Sequence, residues 1–356
     1  MLNIVLDSSE VSNVWYTRKP PNKGWFRQKL PTFLHGINIT IHNSADNLDT
    51  FIYPVLMHEP YIQVRSLIQY YSHFGFWSLV PDSVIQGLRE KRGWIIIDLY
   101  SEPISKSDFQ DLIMSLSESS DYPNDRILLN TVVPQFVDNK KVFDFPSYLE
   151  LSCYVNHIEF CYGACPGCFP SANKDLEYPH KRFLLLNNHI DYHLATLLAK
   201  YASEHPNSFL DSSNTILGKT ALTLPQALYA TDINVVPEAY VNFDIIDYPF
   251  ITEKTFRNVK YKKPFIVMGQ QHLLASFREL GYKTFHPLID ESYDEVDSER
   301  ERFVRVVGEL ERLRQMRDSK FNNLLQQCQP ILEHNYNNLI TRMNQTKPWL
   351  EGLKKV

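Results

Sequence analysis

Glycine is scarce in this chain, with 12 among 356 residues, so the protein relies little on Gly-rich loops. No apolar run approaches the ~20 residues needed to span a bilayer. The opening residues, Met1-Leu2-Asn3-Ile4-Val5-Leu6-Asp7, are too few and too soon acidic for a signal peptide. Positive charge is not in excess either: the formal net charge is -5, whereas most dedicated nucleic-acid binders carry a basic surface. A local basic patch remains compatible with that total. The five cysteines are an odd number, which fits a reducing compartment better than a disulfide framework. A cytoplasmic protein is expected.

What is present is an ordinary globular mixture. Hydrophobic residues make up 44% and charged residues 22%, with 20 Tyr and 21 Phe. The length suggests two domains. Met1 to Asp7 reads as a short strand and Gly36 to His42 as another. Tyr61 to Phe76 has helical spacing, and Pro81 opens a helix running to Arg92. Trp94-Ile95-Ile96-Ile97-Asp98 is a continuous apolar run closed by a carboxylate, the pattern of a parallel strand buried on both faces. Ser105 to Ser117 reads as a helix and Arg126 to Thr131 as a strand. Strands at Arg182 to Asn187, Ile233 to Pro237, Pro264 to Met268 and Lys283 to Phe285 alternate with helices at Asp191 to Ser203, Thr252 to Tyr261 and His272 to Leu280. Glu299 to Arg317 is a long charged helix, and Asp318 to Met343 continues helical with an interruption at Pro330. This alternation argues for doubly wound α/β units, with ligands at the carboxyl ends of the strands.

The order of segments carries more. Phe250-Ile251-Thr252-Glu253-Lys254-Thr255-Phe256-Arg257 is followed by Lys263-Pro264-Phe265-Ile266-Val267-Met268-Gly269. Then come Leu280 to Phe285 and Asp290-Glu291-Ser292-Tyr293-Asp294. This order resembles the donor domain of GT-B glycosyltransferases, in a group related to the fucosyltransferases and abundant in bacteriophages and other large viruses. Some phage members act in DNA modification, glycosylating hydroxymethylated bases. The resemblance covers about the last half of the chain. In Lys181 to Ala199, Asn187 and His193 match, but Asn188 and Leu194 stand where relatives carry arginines.

The resemblance implies an α/β, GT-B architecture: two Rossmann-like domains facing a cleft, with a C-terminal helix crossing back. The boundaries expected are 1–150 for an acceptor-side domain, 151–180 for a Cys-rich connection, 181–328 for the nucleotide-sugar-binding domain and 329–356 for the returning helix. It implies a hexosyl- or pentosyltransferase that moves a sugar from a nucleotide-diphosphate sugar to a hydroxyl, in the host cytoplasm if the protein is viral. In the family pattern a glutamate holds the donor's ribose and a lysine its diphosphate, roles that fall on Glu253 and Lys254.

The chemistry of these residues agrees with that pattern. A ribose diol takes a bidentate acceptor, which a carboxylate supplies, and a diphosphate takes donors and positive charge. Glu253 and Lys254 occupy the first turn of an expected helix, with Thr252 as its N-cap, where free N–H groups and the dipole attract anions. Arg257, one turn on, is a second phosphate candidate. Tyr248 is a candidate to stack on the base. Glu238, just past a strand, is a further donor contact or a surface loop carboxylate. Asp290 and Glu291 read as solvated loop residues. The alternative for the Thr-Glu-Lys segment is an ordinary solvated helix start.

An inverting transfer needs a general base. Asp98 and Glu102, just after the clearest strand of the first half, are candidates, with His35, His42 and His58 weaker ones; both carboxylates also suit a helix cap or a turn. No catalytic metal is expected. Cys153, Cys161, Cys165 and Cys168 have the spacing C-x7-C-x3-C-x2-C, with His157 among them. They read either as a structural zinc site or as small buried apolar groups. The basic aromatic stretch Trp15 to Lys29 offers Arg18, Lys19, Trp25 and Arg27 to a flipped base and its backbone, or is a solvated loop. The acceptor is DNA, or alternatively a cell-surface or lipopolysaccharide glycan. A non-catalytic nucleotide-sugar-binding viral protein is the other class.

Overall fold

A computed structural model describes residues 2–5, 39–56, 75–99, 105–116, 121–123, 126–131, 152–155, 180–185, 193–211, 224–238, 240–244, 246 and 248–345, apart from some side chains within them. The chain divides into two compact units, Met1–Ile158 with Thr346–Val356, and Glu159–Gln345.

The first unit is built on a six-stranded sheet. Its strands are β1 (Leu2–Val5), β2 (Ile39–His42), β3 (Phe51–Leu56), β4 (Gly93–Leu99), β5 (Ile127–Thr131) and β6 (Ser152–Val155), in the order β2-β1-β3-β4-β5-β6. Every pairing is parallel. Helices α1 (Asp82–Arg89) and α2 (Lys106–Leu116) accompany it. The apolar run at Trp94 becomes β4, as its composition predicts. Strand β3 was not expected, because Pro54 interrupts its sequence. Pro54 nonetheless pairs with Ile96 of β4, and among the described residues β1 pairs with β3 at Ile4–Ile52. Strand β6 is a second correction: the start of the Cys-rich stretch is an edge strand, with Cys153 opposite Leu129. Cys161, Cys165 and Cys168 lie outside the described residues, as does most of the helix expected from Tyr61 to Phe76.

The second unit carries the sheet β10-β9-β7-β8, again parallel throughout. Its strands are β7 (Lys181–Leu185), β8 (Phe209–Asp211), β9 (Thr231–Pro237) and β10 (Phe265–Met268). The helices are α3 (His193–Glu204), α4 (Leu224–Tyr229), α5 (Glu253–Lys260), α6 (Leu273–Glu279), α7 (Glu299–Gln315) and α8 (Asp318–Gln345). The core is aromatic. Phe277 stacks on Tyr282 at 4.6 Å and meets Phe256 and Phe265, and Phe265 meets Phe285 edge-on at 5.2 Å. Phe256, Phe277 and Phe285 are fully buried, each worth roughly 1.5–3 kcal/mol of transfer free energy. Two parallel sheets with α-helical connections make this a two-unit, Rossmann-like α/β protein.

Two further expectations are corrected. Lys283 to Phe285 is not a strand, because a side chain of α8 takes its backbone bonds: Lys283 N–H donates to Asn335 Oδ1 (2.7 Å), and Asn335 Nδ2 donates to the Lys283 carbonyl (2.8 Å). Helix α8 also runs through Pro330 without a break. Its buried residues Phe321, Leu324, Cys328, Leu332 and Leu339 hold both halves, so packing outweighs the one lost backbone bond. This helix belongs to the second unit up to Gln345; the stretch that groups with the first unit begins at Thr346.

Candidate functional site

The second sheet fixes where a ligand is to be sought. Strand β7 lies between β8 and β9, so the strand order reverses at the β7–β9 pair, and the carboxyl ends there flank a topological switch point. Residue Asn187, past β7, lies outside the described set. Past β9 stands Glu238, whose N–H donates to the Met268 carbonyl (2.9 Å), tying it to the end of β10.

Glu238 is 3% exposed, which rules out the surface-loop alternative. A buried carboxylate must find donors, and it finds them at the start of α5. One oxygen accepts from Thr252 N–H (3.3 Å) and from Thr255 Oγ1 (2.5 Å). The other accepts a short bond from Thr252 Oγ1. Thr252 in turn caps α5 as its sequence predicts, accepting from Lys254 N–H at 3.2 Å. Its hydroxyl also accepts from Lys254 Nζ at 3.4 Å. Buried Asn258 holds the helix against the sheet, donating to the Lys254 carbonyl (2.9 Å) and accepting from Asn234 Nδ2 of β9 (2.7 Å). The first turn of α5 is thus fixed at the carboxyl edge, with Lys254 half-buried in it. Arg257, half-buried as well, follows one turn later. Glu253 is the first residue of α5; its side chain is outside the described set.

The loop from Glu238 to Thr252 is held from inside. Gln270, 1% exposed, accepts from Phe250 N–H (2.8 Å) and donates to the carbonyls of Asn242 (2.9 Å) and Ile246 (3.0 Å). Arg302, also buried, donates to the carbonyls of Gly269 (3.2 Å), Val296 (2.6 Å) and Asp297 (2.6 Å), and makes a short bond to that of Val241. Asn242 Nδ2 adds a bond to Glu299 Oε2 (3.1 Å). The sequence reading missed Thr255, Gln270 and Arg302. Only the position of Gln270, directly after the Gly269 that ends β10, pointed to it. Tyr248 is 4% exposed, at odds with an open face for a base.

The Asp290 to Asp294 stretch has a structural part. Asp294 is buried and accepts from Leu274 N–H (2.8 Å) and Ala275 N–H (3.0 Å), capping α6, while burial raises its pKa. Glu291 is 7% exposed, contrary to a solvated loop. It accepts from Phe285 N–H (2.6 Å), and burial pushes its pKa up against the pull of Thr284, the Phe285 amide and Arg278. Asp290 is exposed as expected, and the Ser292 amide holds its pKa down. His272, Asp294 and Glu295 bring ligand atoms within 4.8 Å of one another, but both Asp294 oxygens are engaged by α6.

In the first unit, Asp98 sits at the carboxyl end of β4 in register with Leu56 and Asn130. Its side chain is outside the described set, as is that of His193 at the start of α3; Glu102, Arg18, Lys19, Trp25, Arg27, His35 and His58 lie outside it entirely. His42 Nε2 is 3.0 Å from Asn3 Oδ1, so this imidazole links β2 to β1, a structural employment. The remaining cysteine, Cys328, is buried in α8, and burial followed by the Glu291 charge pushes its thiol up to about 12. No helix among the described residues is long and apolar enough to cross a membrane.

No known family and no curated protein matches the chain. Among solved structures it is similar to an alpha1,3-fucosyltransferase with GDP-fucose, at 11% identity and a TM-score of 0.38, over 91% of this chain and 81% of that one. The same extents are covered against an alpha1,3-fucosyltransferase with GDP, at 10% identity and a TM-score of 0.35. Likenesses this faint carry no argument; the fold rests on the two parallel sheets themselves.

Proposed function

We propose that the chain is a glycosyltransferase whose second unit binds the nucleoside diphosphate of a sugar donor at the start of α5. The observation that carries this reading is the placement of Lys254. It stands half-buried in the first turn of a capped helix, at the carboxyl edge of a parallel sheet and beside its switch point. Helix N–H groups and an ammonium together meet the charge of a diphosphate and of the departing nucleotide. Glu253, adjacent to Lys254, is proposed to take the ribose diol. Glu238 acts one step back, fixing Thr252 and Thr255 so that the helix start keeps its place.

Transfer to a hydroxyl needs a base, and Asp98 at the end of β4 is proposed for it. A hydroxymethylated DNA base as acceptor rests on Arg18, Lys19, Trp25 and Arg27 in the sequence alone.

Heat denaturation with GDP, UDP, CDP or inorganic pyrophosphate tests the donor site. A ligand at about 100 times its Kd stabilises the folded form by about 2.7 kcal/mol. At least one nucleoside diphosphate should raise the Tm of the native chain, and raise it less in Lys254→Ala. No stabilisation by any of them overturns the reading. Asp98→Asn should then keep donor binding and lose sugar transfer.

A further inference from the structure

Among its described residues, the loop between Glu238 and Thr252 presents one large apolar side chain to solvent. Phe243 is 39% exposed. Single exposed apolar residues are common and usually mean nothing, so its setting decides. The other exposed large hydrophobics among the described residues stand elsewhere: Met114 in α2 of the first unit, Tyr229 at the end of α4, Val304 in α7 and Ile340 in α8. Phe243 alone among them is carried by a loop that leaves the carboxyl end of a strand. That loop is also closed at its base, where Thr252 donates to Glu238. Inside it, buried Gln270 and Arg302 bond the backbone at Val241, Asn242, Ile246 and Phe250. The residues on both sides of Phe243 are therefore tied down: Val241 and Asn242 through their carbonyls, and Asp244 through its N–H to Asn242 Oδ1 (3.3 Å). A protein that spends two buried polar side chains on a short loop has fixed the position of what the loop displays. Here that is an exposed aromatic ring.

We propose that Phe243 is the platform on which the base of the nucleoside diphosphate stacks. The proposal rests on the donor-site reading above and deepens it. A planar ring held in place offers a π-face to any base, and such a contact needs no hydrogen-bond code. It also supplies what buried Tyr248 does not. In this reading the phosphates meet Lys254, two residues past the closed base of the loop, and the base meets the ring that the loop displays.

Calorimetric titration of the full chain separates the parts. The probes are GDP and UDP, with inorganic pyrophosphate as the base-free control. Phe243→Ala should weaken nucleoside diphosphate binding roughly tenfold or more, leave pyrophosphate binding unchanged and lower the Tm without ligand only slightly, since the residue is partly exposed. Phe243→Trp should restore the affinity, and its indole fluorescence should be quenched as the nucleotide binds. The stacking role is overturned if Phe243→Ala binds GDP and UDP as the native chain does, or loses pyrophosphate to the same degree. In both cases the donor-site reading survives, provided Lys254→Ala still weakens nucleoside diphosphate binding. If the native chain binds no nucleoside diphosphate at all, both readings fall.

Discussion

Glu238 and Asp294 are both buried carboxylates of the second unit, and both accept from residues at the start of a helix. Their surroundings differ. Asp294 takes the first N–H groups of α6 directly, so it uses up the anion-attracting capacity of that helix end itself. Glu238 takes one N–H and two hydroxyls, and the cap of α5 falls to Thr252, a neutral side chain. Helix α5 thus begins with a neutral side chain as its cap and with Lys254 in the same turn. An internal carboxylate at α6 makes a stable joint. At α5 the carboxylate instead holds the helix through its cap and through Thr255. The Thr-Glu-Lys and Asp-Glu-Ser-Tyr-Asp segments thus do different work.

The sharpest way to break this comparison is Glu238→Ala. It strands two buried threonine hydroxyls and a backbone N–H, and bonds to charged groups are worth about 1.5–3 kcal/mol each. A loss of about 3 kcal/mol in urea unfolding, together with loss of nucleotide binding, is expected. A loss below about 1 kcal/mol would show that the clasp is not needed. Next comes Lys254→Ala, which should cost nucleoside diphosphate affinity by tenfold or more, about 1.4 kcal/mol, with little change in unfolding free energy. Asp294→Ala should do the reverse: about 1 kcal/mol of stability lost with the cap, and nucleotide affinity of the folded protein kept.

The smallest effect concerns pH. Burial raises the pKa of Glu291 in the folded chain, so the folded state binds its proton more tightly than the unfolded state does. The resulting stability is fully present below the unfolded value of 4.5 and is lost as pH rises through the folded one. Glu291→Gln keeps an acceptor for Phe285 N–H and removes this dependence. Its urea midpoint, relative to the native chain, should therefore improve as pH is raised from acid to neutral. A constant difference across that range would refute the assignment.

Much of this was legible in the sequence. The apolar runs of β4, β9 and β10 need no tertiary information, and Thr252 caps α5 as its residue type suggests. What escaped was decided at long range. Strand β3 hides behind Pro54, and β6 behind the cysteines. The stretch at Lys283 has strand-like residues, but Asn335, 52 positions on, claims its backbone. Arg302 finds the Val241 carbonyl from 61 positions away, and no local pattern announces such a bond. Glu291 reads as a surface acid, yet folding buries it with the Phe285 N–H bonded to its carboxylate.

The closed base of the loop after β9 has a consequence for how this protein can change. Because Glu238 and Thr252 join its two stems, the junction of strand and helix does not depend on which side chain the tip displays. Substitution is then tolerated at the exposed tip, Phe243 and Asp244, while Val241, Ile246, Tyr248 and Phe250 are buried and the hoop stays bonded to Gln270 and Arg302. Such an arrangement lets one scaffold trade ligand preference without refolding.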